Sequence, residues 1–429
     1  MNTLLIFLGK LVMNISRLLG KGSGSTWPGH IALSVNPYFI SELSKKNPHL
    51  KIILIAGTNG KTTTSKMIAT VLEKNGKSVM QNKSGANLLN GVASSFVESA
   101  NLFGKITKDA AVFEIDENTL PLVLEQTKPT VVIALNLFRD QLDRYGELDS
   151  IAKKWKKAFS FLSENTTLVL NADDPQVAFL GEKLHAKTVY FGLEEKGETA
   201  SHLQHASDSI YCPNCHNRLE YKKIYYSHLG VWSCTFCKLK RPQITLVNTM
   251  YPLPGSYNKY NTLAAVLAVK QLGIPENLVQ DAIATVTPAF GRQEKITING
   301  KTVQIFLAKN PASFNQTIKT IADMHAKHVL FILNDRIPDG RDVSWIWDID
   351  IEKFLPQFSS IFIAGDRVYD MELRVWYAGR NKDVYSFESL SDCFWNALEN
   401  LPEKETLYIL PTYSAMLDVR KVITGKKIL

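Results

Sequence analysis

The segment Gly57-Thr58-Asn59-Gly60-Lys61-Thr62-Thr63-Thr64 narrows the fold of this 429-residue chain more than any other feature. Before it lies Lys51–Ala56, KIILIA, a short apolar run rich in β-branched residues that reads as a buried strand; after it a helical pattern runs through Leu72. Strand, glycine turn and helix is the context in which backbone N–H groups and a helix N-terminus converge on an anion. Gly57 and Gly60 allow the tight turn, Lys61 adds a positive charge, and Thr62 offers a hydroxyl to Mg²⁺. The common phosphate-loop pattern has another glycine five residues before the second one. Ile55 stands there, so this loop is a shorter form that keeps every chemical part.

The surroundings alternate strand and helix. Ala110–Phe113 ends at Glu114, Thr130–Leu135 ends at Asn136, and Thr167–Leu170 ends at Asn171. This α/β pattern predicts a parallel sheet covered on both faces, with ligands gathered at the strands' carboxyl ends. A helix is expected over Tyr260–Gln271. A second alternation starts near Thr302, with strands at Val329–Leu333, Ser360–Ala364 and Thr406–Leu410. The turn signal Asn299-Gly300 sets the division into an N-terminal helix and loop (1–45), a central domain (46–298, with an insertion at 205–242) and a smaller C-terminal α/β domain (299–429).

That insertion carries Cys212-Pro213-Asn214-Cys215 and Cys234-Thr235-Phe236-Cys237, 18 residues apart. Two CxxC turns at this spacing predict a zinc ribbon in which four thiolates hold a structural Zn²⁺. Five cysteines are too few for a disulfide scaffold, and paired CxxC turns point to a reducing, cytoplasmic setting. Cys393 is expected to be a core thiol. At 45% hydrophobic and 21% charged residues the chain is neither disordered nor fibrous, and it lacks the run of 18 apolar residues that a membrane-crossing helix requires. The net charge of +8 suits an anionic substrate or a membrane surface without demanding nucleic acid. A nucleic-acid-binding ATPase would interleave basic and aromatic residues, and Arg218–Tyr226 offers only a little of that. In the first 20 residues, Leu4, Leu8, Leu11, Ile15 and Leu18 recur at helical spacing, which predicts a helix packed on its own domain or, failing that, one lying on a membrane.

The phosphate loop resembles that of the Mur ligases and folylpolyglutamate synthases, and further segments agree in order. They are Glu114-Ile115-Asp116-Glu117, the stretch Asn136–Gly146, Asn171-Ala172-Asp173-Asp174-Pro175, Gly255–Asn261 and Phe290-Gly291-Arg292. The resemblance implies ATP and Mg²⁺ as cofactors. It implies phosphate contacts from Gly57, Thr58, Asn59, Gly60, Lys61, Thr62 and Thr63, adenine-side contacts from Asn258 and Asn261, a ribose contact from Arg292, and Mg²⁺ held by Thr62 and Glu114. Departures matter too. Gln141 replaces a histidine that binds a second metal in the Mur ligases, and Trp155 falls where they carry a carbamoylated lysine, with Lys153, Lys154 and Lys156 nearby. Neither an amide nor an indole substitutes as a ligand. Phe306–Pro311 lacks the Asp and His of the corresponding family motif.

Taken with the ribbon, the segments Gly22–Ser25, Trp27-Pro28-Gly29, Asn334-Asp335, Asp339–Asp348, Ala364–Arg367 and Pro411–Met416 resemble the MurT subunits of lipid II isoglutaminyl synthases. That resemblance implies a ligase that activates the α-carboxylate of D-glutamate in the lipid II stem peptide as an acyl phosphate. Ammonia from a GatD-like glutaminase subunit then gives D-isoglutamine. It also implies that a carboxylate of the C-terminal domain completes the partner's Cys–His triad. Asp348 is favoured over Asp342 and Asp350 because it ends the Trp-rich segment. Lys61 and Glu114 are the expected catalytic groups on the ATP side, where charge neutralisation matters more than covalent help. An amino-acid-adding ligase of the Mur or folylpolyglutamate type is the alternative, and a peripheral contact with the inner membrane face fits the lipid-linked substrate.

Overall fold

The computed structural model describes residues 1–18, 26–82, 85–140, 148–194, 203–205, 207–245, 247–289 and 291–425. Gln141, Phe290 and the Gly22–Ser25 segment lie outside the described residues. Six strands form the first sheet: β1 (Lys51–Ala56), β2 (Val79–Gln81), β3 (Ala110–Ile115), β4 (Val131–Ala134), β5 (Thr167–Asn171) and β6 (Lys187–Phe191). Their order is β2-β3-β1-β4-β5-β6, every pair parallel. Side chains of a strand alternate between faces, and here both faces are covered. Ile52, Leu54 and Ala56 of β1 join one core, while Ile53 and Ile55 join the other. The helix Lys61–Lys74 leaves the carboxyl end of β1, the central strand, so the phosphate loop sits at the middle of the sheet's edge.

The insertion forms an antiparallel hairpin of β7 (Glu220–Tyr226) and β8 (Leu229–Ser233). The helix Ser256–Lys270 returns to the first sheet and packs on Lys61–Lys74. A second sheet contains β9 (Arg292–Ile298), β10 (Lys301–Phe306), β11 (His328–Ile332), β12 (Ser360–Ala364), β13 (Val384–Ser386) and β14 (Thr406–Pro411), in the order β13-β12-β11-β14-β10-β9. Only β9 runs antiparallel to its neighbour, β10. The Asn299-Gly300 turn is thus a hairpin inside this sheet. The sheet begins at Arg292, seven residues before the turn at which the sequence division was placed, because β9 finds its hydrogen-bond partner in β10 and not in the first sheet.

The N-terminal helix Asn2–Leu18 packs on the helices Trp27–Val35 and Leu89–Ser99, but on a different face from the one its leucine spacing suggests. Leu5, Ile6, Gly9 and Met13 are buried, and Gly9 lets the helix close on Val97 and Pro28. Leu4, Leu8, Leu11 and Ile15 point to solvent with Phe7. No helix among the described residues is long and apolar enough to cross a membrane.

Candidate functional site

Both loop glycines are backbone necessities. Gly57 (φ +139°) and Gly60 (φ +94°) occupy conformations that L side chains rarely adopt, and a Cβ on Gly60 would lie 2.1 Å from Asn261 Oδ1. Asn136, just past β4, clamps the loop in both directions: the Asn59 N–H donates to its side chain (2.9 Å) and its amide donates to Asn59 O (3.0 Å). Thr58 is tied to Phe138 by two hydrogen bonds. The Lys61 ammonium donates back to Gly57 O and lies 3.4 Å from the Glu117 carboxylate.

Thr62 Oγ1 donates to Glu114 Oε2 at 2.7 Å, which brings the two expected Mg²⁺ ligands together. Asn82 fixes Glu114 by paired hydrogen bonds to its backbone. Desolvation pushes the Glu114 and Glu117 carboxyls above their ordinary range, with Thr62, Lys61 and Arg292 opposing at Glu114 and Lys61 opposing at Glu117. An enclosed carboxylate beside a hydroxyl, raised by desolvation, fits a site completed by a cation. Arg292 is lowered by desolvation and held up by Glu114. Trp155 takes no ligand role: it is fully buried and its indole N–H donates to Glu117 O at 2.7 Å, fixing the backbone behind the cluster.

A cleft opens between the loop and the second sheet. Asn59, Gly60 and Thr63 of the expected phosphate residues line it with Asn258, Asn261 and Arg292, whereas Gly57, Thr58, Lys61 and Thr62 do not. Two groups that motif reading missed also line it: Tyr226 from the ribbon hairpin and Tyr257, whose hydroxyl accepts from Gln293 Nε2 at 2.5 Å.

The ribbon brings its four sulfurs within 4.8 Å of one another, with Cys212–Cys237 and Cys215–Cys234 each at 3.5 Å. A regular tetrahedron with Zn–S near 2.3 Å has edges of about 3.8 Å, so the donor set fits zinc. The two knuckles repeat one geometry: His216 N–H donates to Cys212 O and Lys238 N–H to Cys234 O, both residues at positive φ. Trp232 donates to Ala172 O at 3.0 Å and Arg241 pairs with Asp173 at 2.5 Å, docking the ribbon on the turn after β5.

Two family models match: a Mur ligase middle domain over residues 55–269 and a MurT ligase C-terminal domain over residues 307–416. The lipid II isoglutaminyl synthase (glutamine-hydrolyzing) subunit MurT of Staphylococcus aureus is 35% identical over 390 residues, covering 86% of each chain. The subunit of the same name from Streptococcus pneumoniae is 31% identical over 435 residues, covering 96% of this chain and 95% of that one. The chain belongs to the MurT family. Its fold is shared with a pseudomurein peptide ligase type C from Methanothermus fervidus at TM-score 0.66 and 23% identity, covering 88% of this chain and 79% of that one. The Mur ligase family match implies ATP and Mg²⁺ as cofactors.

In this MurT family member the three candidate aspartates have different surroundings. Asp342 accepts from the Ser344 N–H (2.8 Å), two residues on, where the short 3₁₀ turn Ser344–Asp348 begins. Asp350 accepts from Asn315 Nδ2 (3.0 Å) and faces His205. Asp348 is 42% exposed and lies 3.5 Å from Arg139. It lines a second cleft with Arg139, Asp140, Lys309, Asn310 and Trp345. Asn310 caps the helix Pro311–Asp323 and bonds Asn59 across the domains (3.4 Å), which joins this cleft to the phosphate loop. Lys309, in the place of the family histidine, is ion-paired with Asp140. Desolvation lowers its ammonium and the Asp140 and Glu117 charges outweigh that, leaving it above its ordinary value.

Proposed function

We propose that this chain is the ATP-dependent subunit of a two-part ligase that amidates the D-glutamate α-carboxylate in the stem peptide of lipid II. The observation that carries the reading is the pairing, around one loop, of an anion cradle with Thr62, Glu114 and Lys61, inside a chain of MurT family length and similarity. Lys61 leaves Gly57 O and turns to the terminal phosphate when nucleotide enters. The N-terminus of Lys61–Lys74 points at the same group. Asn258, Asn261 and Arg292 orient the nucleoside in the cleft beside the loop. Mg²⁺ held by Thr62 and Glu114 would supply charge neutralisation at the phosphates. Asn310 holds the C-terminal domain against the loop, so the substrate carboxylate meets the phosphate in a site closed on two sides. The zinc held by the four cysteines has a structural role: it fixes the hairpin that places Tyr226 in the cleft.

Asp348, half-exposed in the lining of the second cleft, completes the triad of a GatD-like glutaminase docked on the C-terminal domain. All three candidate aspartates have a partner within the chain, Asp348 in Arg139, so the choice of Asp348 rests on its place at the end of the Trp-rich segment. An amino-acid-adding ligase is disfavoured by Trp155, whose buried indole fills the place of a metal-ligating lysine. The outward face of the N-terminal helix supports peripheral contact with an anionic membrane. Leu4, Phe7, Leu8, Leu11 and Ile15 are exposed there, and the first acidic residue of the chain is Glu42.

The chain mixed with its glutaminase, ATP, glutamine and lipid II should yield a product lighter by the replacement of one hydroxyl by an amine, with ATP consumed in proportion. Added DNA should leave ATP hydrolysis unchanged. Amidation without ATP consumption refutes the proposal.

A further inference from the structure

The second cleft contains an acceptor that the reading above leaves unused. Asp140 is 8% exposed; one carboxylate oxygen takes the Lys309 ammonium, and the other, Oδ1, is buried without a hydrogen-bond partner among the described residues. A buried carboxylate oxygen left without a donor costs free energy comparable to a lost hydrogen bond, so a site built this way calls for a donor that arrives with the substrates. The position says which donor. Asp140, Lys309 and Asp348 line one cleft, and the Lys309 charge interacts with Glu117, which pairs with Lys61 of the phosphate loop. One end of the cleft is where the partner would release ammonia, and the other is where the acyl phosphate would form.

We infer that Asp140 accepts the proton lost by ammonia as it attacks the acyl phosphate, with Lys309 as the positioning residue that holds the carboxylate in place. This rests on the amidation reading. The ammonia lone pair forms the C–N bond to the acyl carbon. The C–O bond to phosphate breaks and the phosphate leaves with that electron pair. One N–H proton passes to Asp140 Oδ1 and then to the departing phosphate, which leaves as hydrogen phosphate and regenerates the carboxylate. Without a base, the ammonium-bearing adduct expels ammonia instead.

Hydroxylamine separates this role from a structural one. It is a weaker base than ammonia, and its adduct gives up a proton to water readily. In the complete two-subunit complex supplied with ammonium salt, Asp140→Asn should lose about 10²–10⁴-fold in amidation rate. Hydroxamate formation from the same acyl phosphate should stay within about threefold of wild type. The double variant Asp140→Asn/Lys309→Met, which removes the buried pair without leaving an unpaired ammonium, should behave the same way, and Asp140→Glu should keep measurable amidation. Wild-type amidation by either asparagine variant overturns the inference, as does an equal loss of amide and hydroxamate. A wild-type complex that makes neither product sinks the amidation reading itself, and with it this step.

Discussion

The phosphate loop and the cleft around Asp140 lie on the two sides of the Asn59–Asn310 contact and are built in opposite ways. The loop's chemistry is local: Gly57, Gly60, Lys61 and Thr62 fall within six residues, and the partners that shape them sit at the ends of adjacent parallel strands. The cleft's chemistry is assembled at long range. Lys309 meets Asp140 across 169 positions, and Asn310 meets Asn59 across 251. A local motif holds its geometry through backbone conformation, whereas a long-range pair holds it only while two domains stay docked. Variants on the two sides should therefore fail differently.

The largest effect is expected on the local side. Lys61→Ala removes the charge that meets the terminal phosphate, and amidation should fall by at least about 10³-fold from both glutamine and ammonia. Association with the glutaminase, followed by gel filtration, should be unchanged. Substantial activity in that variant would remove the loop from the mechanism. Asp348→Asn tests the other side. Glutamine-driven amidation should drop by about 10²-fold or more, because a triad histidine loses the partner that orients it. Ammonia-driven amidation should survive within about twofold, and an equal loss from both nitrogen sources would transfer Asp348 from the partner's triad to the ligase site.

Legibility from sequence followed the same divide. Strand Lys51–Ala56 and strand Ser360–Ala364 could be placed to the residue because a buried parallel strand is a continuous apolar run bounded by polar turns. The cysteine knuckles were equally readable, since the donors lie in two turns of fixed spacing. What escaped was anything set by packing between distant segments. The leucine spacing of the N-terminal helix named a stripe without saying which side faces Val97. A division at the Asn299-Gly300 turn leaves β9 with the first sheet, because the sequence of this strand does not reveal which sheet it joins. Lys309 was seen as the loss of a family histidine, and its pairing with Asp140 needed the domains in place.

The ribbon offers a middle-sized test. Wild-type protein should retain about one Zn²⁺ per chain after dialysis, and Cys234→Ser less than half of that. The same variant should lower the melting temperature by a few degrees and weaken nucleotide binding, since Tyr226 is carried by this hairpin into the cleft proposed to hold the nucleotide. Zinc loss with nucleotide affinity untouched would show that the ribbon and the cleft are independent.

The smallest expected effect lies where local and long-range construction meet. Asp173 belongs to the turn after β5, yet its carboxylate accepts from Tyr260 (2.6 Å), the Leu193 N–H (2.9 Å) and Arg241 (2.5 Å), tying the sheet to the helix Ser256–Lys270 and to the ribbon. Burial raises its pKa to about 6 against the pull of those three donors. A raised value means that the folded state binds this proton more tightly than the unfolded chain does. Its contribution to stability is thus fully present below about pH 4 and lost as pH rises through about 6, a change of roughly 2–3 kcal/mol. Asp173→Asn removes the titration while keeping an acceptor for the Tyr260 hydroxyl. The difference in melting temperature between variant and wild type should therefore shift in the variant's favour as pH rises from 4 to 6, and then stay level to pH 8. A constant difference across that range would mean that Arg241 and the backbone N–H hold Asp173 ionised throughout, and that the docking of the ribbon is governed by the ion pair and not by desolvation.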